Sequence, residues 1–448
     1  MEPIRRKADG FFIFTIYLPP MESLFDLFYQ SSGICTDTRN IKRDSLFVAL
    51  KGANFDGNDY VYQALEAGSK FAICSNADLA NDSNIYYTPD TLDFIQKLAR
   101  HHRRKFNIPV LGITGSNGKT TTKELVNAVL SKKFNTLCTT GNLNNHLGVP
   151  FTLLEMIDTH EIAVIEMGAN KPGDIKELVE IAEPTCGLIT GIGAAHIEGF
   201  GSLEGVILTK SEMYNFLKIQ QGLVFYNSSD EILKKQLGNY FNTFTYGVNE
   251  NAQVQGRLDK MTPYLNFSWK RKDGEFHAVA AKMVGAYNLI NYLTAAAVGV
   301  YFGVSDELIS EALETYTPSN NRSQVTETGR NTLIMDAYNA NITSMKAALE
   351  SFDGVEHPNK AVILGDMREL GALSAEAHQE IVDWLSAKSF KKFLVGEEFS
   401  KTHFNQSFLH FPNAMALVTH LQSNTLEGHF ILVKGSRGIA LEQVLQAL

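Results

Sequence analysis

The sequence predicts an α/β protein of three domains, the middle one carrying a mostly parallel sheet flanked by helices. Three observations lead there. The chain has 448 residues, enough to bury several separate cores. From about Met21 onward, apolar runs of strand length alternate with helical patterns, the order that builds parallel sheets covered by helices. Two stretches interrupt the alternation: the basic "RHHRRKFNIP" ahead of a fresh apolar run, and the polar, turn-rich "YTPSNNRSQ". Domains are therefore expected at residues 21–107, 108–318 and 319–448.

In the first domain "SLFVALKG", "KFAICS" and "NIYYTP" read as strands, with "YVYQALEAG" and "TLDFIQKLARHHRRKF" as helices. The middle domain has strands "PVLGIT", "EIAVIEMG", "CGLITGI" and "GLVFYN". Helical patterns "TTKELVNAVLSKKF", "PGDIKELVEIA" and "LEGVILTKSEMYNFL" separate them. The segment from "FTYGVNENAQVQGRLDK" to "EFHAVA" reads as an antiparallel insert with hairpin turns, and "GAYNLINYLTAAAVGVYFGV" as a helix. Four more buried-strand patterns, "NTLIMDAY", "KAVILGDM", "KKFLVG" and "HFILVKGS", make the third domain α/β as well.

Composition narrows the function. Hydrophobic residues make up 44% and charged residues 20%, as in soluble globular proteins. A net charge of −9 argues against a general binder of nucleic acid or membrane surfaces, though a local basic pocket is enough for a small anion. No membrane insertion is expected, because no apolar stretch reaches spanning length. Cys35, Cys74, Cys138 and Cys186 are scattered without a CxxC or Cys/His cluster, which points to free thiols in a reducing, cytoplasmic compartment. At the N-terminus "RRK" and "FFIFTIYLPP" resemble parts of a signal peptide, but the apolar run is short and no small-residue cleavage site follows. Residues 1–20 are expected to be a non-structural upstream extension, with the chain proper starting at Met21.

The chemistry gathers in the middle domain. Strand "PVLGIT" feeds the loop "GSNGKT", and a helix follows. Backbone N–H groups of such a loop and the positive helix end bind phosphate oxygens. Gly115 and Gly118 permit close approach, Lys119 would meet the terminal phosphates, and the Thr120 hydroxyl would ligate Mg²⁺. The spacing is unusual, since five residues rather than four separate Gly112 from Gly118. Glu166 ends a neighbouring strand at the same sheet edge and would complete a Mg²⁺ shell; the alternative is a solvated edge carboxylate. His196 falls just past a third strand, again on the ligand-bearing edge. Alone, His196 reads as structural and Lys210 as a solvated lysine.

The motifs "GITGSNGKTTTKE", "TTGNLNNHLGVPFTLL", "EMGANKPGDI", "AHIEGFGSLEGV" with "TKSEMY", "YNLINYLTAAA", "DAYNANITSM", "VILGDMRELG" and "LVKGSRG" resemble, in content and order, those of the Mur ligase family, whose phosphate loop has the same spacing. The resemblance runs from about Thr36 to Arg437 and implies a Rossmann-like C-terminal domain. It also implies an ATP-dependent amide ligase that adds D-alanyl-D-alanine to a UDP-N-acetylmuramoyl-tripeptide through an acyl phosphate, acting as a monomer. Carried over, Gly115, Ser116, Asn117, Gly118, Lys119, Thr120 and Thr121 cradle ATP. Thr120, Glu166 and His196 hold metal, two Mg²⁺ being expected. Lys210 resembles the lysine that reacts with CO₂ to become a carbamate, an oxygen ligand suited to Mg²⁺. Lys119, His196 and Lys210 are thereby the catalytic candidates.

Asn288 and Asn291, three apart and on one helix face, resemble adenine-side contacts, with a helix cap as the alternative for Asn288. Arg322 and Asp336 resemble residues closing over the γ-phosphate and ribose. "TDTRNIKRDSLFVALKGANFDGNDY" is similar to the segment docking the UDP end, giving Asp37, Thr38, Arg39 and Lys51 as substrate contacts, with Asn144, Asn145 and Asn339 as further ones. Two positions depart from the pattern: Asn58, where the family usually has histidine, and Ile342, where it commonly has proline. "GDMREL" and "KGSR" receive no individual roles. A folylpolyglutamate-type ligase is disfavoured by the N-terminal segment. A nucleotide-hydrolysing binding protein is the rival from another class.

Overall fold

The computed structural model describes residues 20–318 and 322–448. The expectation for the N-terminal extension therefore falls almost wholly outside the described residues. Among the described residues three sheets form the scaffold. The first holds β1 (Ile34–Cys35), β2 (Leu46–Val48), β3 (Phe71–Cys74) and β4 (Ile85–Tyr87), parallel and in sequence order. β2 and β3 are fully buried, as continuous apolar runs covered on both faces require. Helix α1 (Thr91–Arg103) begins at Asp90, whose carboxylate accepts from the Leu92 and Asp93 N–H groups. It ends in four basic residues, favourable at the negative helix end. The stretch that marked a boundary in the sequence is thus its last turn. Arg100 and Arg104 both pair with Glu183, at 2.9 and 2.6 Å.

The backbone divides into two compact units that do not follow chain order. One joins Asn142–Thr159 and Glu180–Glu183 to the segment up to Ile108. The other comprises Pro109–Gly141, His160–Val179 and Pro184–Leu448.

The second sheet has nine strands: β5 (Val110–Thr114), β6 (Thr136–Cys138), β7 (Ile162–Glu166), β8 (Cys186–Ile189), β9 (Leu223–Asn227), β10 (Thr243–Gly247), β11 (Val254–Thr262), β12 (Tyr264–Arg271) and β13 (His277–Val284). Their order is β13-β12-β11-β10-β9-β8-β5-β7-β6. All neighbours from β6 to β11 are parallel; β12 and β13 are antiparallel additions. "FTYG" is therefore not part of an antiparallel insert, as the sequence suggested. The helix Glu231–Leu237 carries the chain over from β9, so β10 joins in parallel, and only β11–β13 form a meander. β5 lies between β7 and β8, so successive connections leave it on opposite sides. That is the topological switch point where open α/β sheets hold ligands.

Helix α2 (Lys119–Leu130) leaves the loop after β5, and α3 (Leu203–Ile219) follows β8. Helix α4 (Leu289–Tyr301) shares a core with α2, in which Val126, Val129, Leu293 and Ala297 meet Tyr292 and Trp269. The two helices approach closely at Gly299, where an added Cβ would lie 2.5 Å from Val129 Cγ1.

The third sheet comprises β14 (Gln324–Glu327), β15 (Thr332–Asp336), β16 (Lys360–Gly365), β17 (Lys391–Val395), β18 (Phe408–Phe411) and β19 (Phe430–Lys434), ordered β14-β15-β19-β16-β17-β18. Only β14 is antiparallel. Helices α5 (Ile342–Asp353) and α6 (Ser374–Ser386) build the core on one face. The four strands expected from sequence are β15, β16, β17 and β19; β14 and β18 are additional edge strands. All four cysteines are free. Among the described residues no helix is long and apolar enough to cross a membrane.

Candidate functional site

Three loops leave the carboxyl ends of β5, β7 and β8 side by side. In the first, Gly115 (φ +148) and Gly118 (φ +79) adopt backbone that side chains resist, and both are closely packed. An added Cβ would lie 2.0 Å from Thr190 Oγ1 at Gly115 and 2.7 Å from Asn291 Oδ1 at Gly118. Ser116 donates its backbone N–H to Gly191 O and its hydroxyl to Gly193 O, tying the β5 loop to the β8 loop. Thr190 donates to Asn117 O at 2.6 Å. Lys119 folds back so that Nζ donates to Gly115 O at 2.8 Å and Ser116 O at 3.4 Å. Thr120 donates to Glu166 Oε1 at 3.1 Å, placing hydroxyl and carboxylate together in the interior. Register explains that meeting, because Glu166 pairs with Ile113 across β5 and β7. Thr121 is buried in the same first turn.

His196 precedes a short helix, Ile197–Phe200, with φ 53. Its ring stands edge-on to Phe200 at 6.5 Å, and Lys210 Nζ lies 5.5 Å from that same ring. Lys210 sits in α3 and is buried, not solvated. Among the described residues its amine has no hydrogen bond or ion pair. Burial and then the charge of Lys119 hold the Lys210 amine well below its usual value, against the pull of Asp174 and Glu212. Burial likewise lowers Lys119, with Glu166 opposing and Arg322 assisting. His196 is lowered by burial, and by Lys119 and Lys210, while Glu369 opposes. The loop lysine, Glu166, His196, Lys210 and Arg322 therefore share one field.

Arg322 stacks on Tyr338 at 3.7 Å, and its Nε is buried with no hydrogen-bond partner among the described residues. Asp336 accepts from Lys434 Nζ at 2.5 Å and from Ser323 N–H at 3.4 Å, so its carboxylate is already engaged. Asn291 accepts from the Thr122 hydroxyl and donates to Asn288 Oδ1. Asn288 donates to Val284 O and makes no cap bond with its side chain, which removes the helix-cap alternative. Asn339 is exposed after β15, its Oδ1 accepting from Ala340 N–H.

This donor set suits a phosphorylated ligand and its metal. Lysine amine, an unpartnered guanidinium N–H and loop N–H groups fit anionic oxygens. The buried hydroxyl–carboxylate pair supplies hard oxygen ligands for Mg²⁺.

Comparisons with known proteins agree along most of the chain. The family models matched are the Mur ligase family catalytic domain at residues 30–103, the Mur ligase middle domain at 113–299 and the Mur ligase glutamate ligase domain at 321–437. The UDP-N-acetylmuramoyl-tripeptide–D-alanyl-D-alanine ligases of Bacillus subtilis (strain 168) and Escherichia coli (strain K12) are each 34% identical, with 93% of both chains covered. The chain belongs to the Mur ligase family. It is accordingly an ATP-dependent ligase. Among solved structures, the MurF ligase of Thermotoga maritima in complex with ADP superposes with a TM-score of 0.84 at 26% identity, covering 94% of this chain and 97% of that one.

The remaining Mur ligase candidates lie in the other compact unit. Asp37 accepts from the Arg39 backbone N–H, Nε and Nη2, the last at 2.7 Å. Thr38 opens the short 3₁₀ turn that Asp37 caps. Lys51 pairs with Asp56 at 3.0 Å. Asn145 Oδ1 accepts from Leu147 and Gly148 N–H groups, and the Asn144 N–H donates to Asn142 O.

Several residues of the site were not singled out by sequence. Asn341 donates to Asn117 Oδ1 at 2.8 Å, joining the third domain to the phosphate loop. It also caps α5 reciprocally with Ser344, so Ile342 stands at a well-formed helix start without the family's proline. Lys123 is fully buried and donates to Thr139 O at 2.7 Å. Thr139 Oγ1 in turn accepts from Glu166 N–H. Glu369, from "GDMREL", pairs with His196. The motifs containing Asn341 and Glu369 were visible; their partners, far away in sequence, were not.

Proposed function

We propose that this chain joins D-alanyl-D-alanine to UDP-N-acetylmuramoyl-tripeptide, with ATP converted to ADP and phosphate, in the cytoplasmic assembly of peptidoglycan precursors. The observation that carries this reading is similarity over 93% of the chain to ligases so named, together with Lys119 and an unpartnered Arg322 N–H at the nucleotide loop.

The peptide carboxylate is a poor electrophile, so ATP activates it as an acyl phosphate. Phosphoryl transfer asks the protein mainly for positioning and charge neutralisation. Lys119, now resting on loop carbonyls, would swing its amine onto the β- and γ-phosphates. Arg322 would turn its unpartnered N–H toward the γ-phosphate. Asn288 and Asn291 would support the adenine side. Thr120, Glu166, His196 and Lys210 would hold Mg²⁺, which screens the repulsion between carboxylate and triphosphate. Lys210 would serve as a carbamate. Burial and Lys119 push the Lys210 amine well below its usual value, toward the uncharged form that attacks CO₂ with loss of a proton, and the carbamate's negative charge would answer Lys119.

Asp37, Thr38, Arg39 and Lys51 would dock the UDP end, and Asn144, Asn145 and Asn339 would line the bound substrates. The dipeptide amine must arrive neutral to attack. It would enter by a cleft of about 660 Å³ at the carboxyl edge of the third sheet, lined by Asp366, Arg368, Glu369, Glu397, Glu398 and Asn413. Exclusion of water from the reacting carboxyl would protect the acyl phosphate. The test is ADP release measured with each substrate alone and with both. Release that needs both substrates supports the ligase; release that needs neither supports a nucleotide-hydrolysing binding protein.

A further inference from the structure

The loops "GDMREL" and "KGSRG" brace each other and present one carboxylate to the middle domain. Met367 N–H donates to His378 Nε2 at 3.0 Å, and Arg368 N–H donates to Ser436 Oγ at 2.9 Å. Arg368 Nη2 reaches Gly438 O at 3.2 Å. Glu369 follows with φ 65, a left-handed conformation disfavoured for a side-chain-bearing residue. Its carbonyl accepts from Glu198 N–H at 3.4 Å, and its carboxylate meets His196 Nδ1. His196 also has a left-handed backbone. Two strained residues facing each other mark a contact that the surrounding structure enforces.

We propose that Glu369 is a positioning residue for His196: its carboxylate takes the Nδ1–H bond and so leaves Nε2 as the lone pair offered to metal. This rests on the reading of His196 as a metal ligand. A carboxylate only accepts hydrogen bonds, so the imidazole proton must lie on Nδ1. Nε2 makes no hydrogen bond among the described residues, and Phe200 stands edge-on to the ring with centroids 6.5 Å apart. Metal-binding histidines commonly give their other N–H to a carboxylate, which fixes tautomer and orientation. Here that carboxylate comes from the third sheet. The ring is therefore set for coordination only while the loop Asp366–Gly371 is docked, which couples arrival of the third domain to assembly of the metal site. An ordinary half-exposed ion pair would have no such consequence.

The test uses the full chain without nucleotide. Histidine-selective ¹⁵N spectra, assigned with His196→Ala, read the tautomer; Mn²⁺ affinity is read by electron paramagnetic resonance. Wild type is expected to show Nδ1–H. Glu369→Ala should lose that signature and bind Mn²⁺ about 10–100-fold more weakly. Glu369→Gln, whose amide oxygen still accepts, should recover most of both. If His196→Ala weakens Mn²⁺ binding but Glu369→Ala changes neither readout, the positioning role is overturned and the ligand role survives. If His196→Ala binds Mn²⁺ as wild type does, both are overturned.

Discussion

The first and second sheets present their loops in the same way, at the carboxyl ends of parallel strands, yet their charges are managed oppositely. In the first, Asp37 is tied to Arg39 and Lys51 to Asp56, all near solvent. In the second, Lys210 is buried with no ion pair among the described residues, Lys119 rests on carbonyls, and Arg322 keeps an unpartnered N–H. Lys123 shows that burial alone does not create this demand, since two carbonyls and Glu124 satisfy it. The difference separates two ways of recognising an anion. The second sheet holds Lys119 and Arg322 ready for an anionic ligand at once; in the docking proposed above, the first would have to exchange existing pairs for ligand contacts. Substitutions in the second should therefore remove activity, and substitutions in the first should shift affinity.

The largest effect is expected at Lys119. Lys119→Ala should lower substrate-dependent ADP release by at least about 10²–10³-fold, with the near-ultraviolet circular dichroism unchanged. A wild-type rate would contradict the phosphate-loop assignment. Lys210→Ala should come next: activity is lost, and a short carboxylic acid added to the assay restores part of it. A fully active Lys210→Ala without additive would remove the carbamate. The apolar Lys210→Met should be equally inactive but more stable in CO₂-depleted buffer, by about 1–3 kcal/mol in urea denaturation, because an unpartnered buried amine costs the folded state.

How far sequence alone reached follows the same division. The placement of the phosphate loop, Glu166 and His196 at one sheet edge was legible because each is attached to a strand end, and strand, loop and helix follow one another locally. The burial of Lys210 was not legible from its own stretch, which reads as solvated, since it depends on how α3 packs. β1, β6, β14 and β18 are two to four residues long and lie at sheet edges, too short for a periodic signal. β10 departs from the antiparallel pattern its sequence suggests because its pairing direction depends on the crossover before it. The contacts Asn117–Asn341 and His196–Glu369 join segments far apart in the chain, and nothing in either segment's pattern names its partner.

In the first sheet, Arg39→Ala should raise the KM for the UDP-peptide several-fold with kcat nearly unchanged. An equal fall in kcat would place Arg39 in the chemistry instead. The same variant has a direct electrostatic readout. The Arg39 guanidinium and N–H hold the Asp37 carboxyl down at about 2. A depressed carboxylate contributes stability above its unfolded value, and that contribution fades as pH falls from about 3.9 toward 2. Carboxyl-detected NMR titration should find Asp37 near 2 in wild type and back near its ordinary value in Arg39→Ala.

The smallest effect belongs to Asn58, the departure from the family's histidine. Its Nδ2 donates to Asp56 Oδ1 at 2.6 Å and to Ser75 Oγ at 3.0 Å, and its Oδ1 accepts from Ser75 N–H at 2.9 Å. Asn58 thus clips the loop after β2 to the end of β3, and through Asp56 it steadies the partner of Lys51. Asn58→Ala removes the clip while leaving Lys51 and Asp56 in place. It should cost about 1 kcal/mol in urea denaturation, as a few partly buried hydrogen bonds do, and change KM by less than Arg39→Ala does. A larger rise in KM for Asn58→Ala than for Arg39→Ala would mean that this amide touches the substrate itself, and the first sheet would then resemble the second more closely than its paired charges suggest.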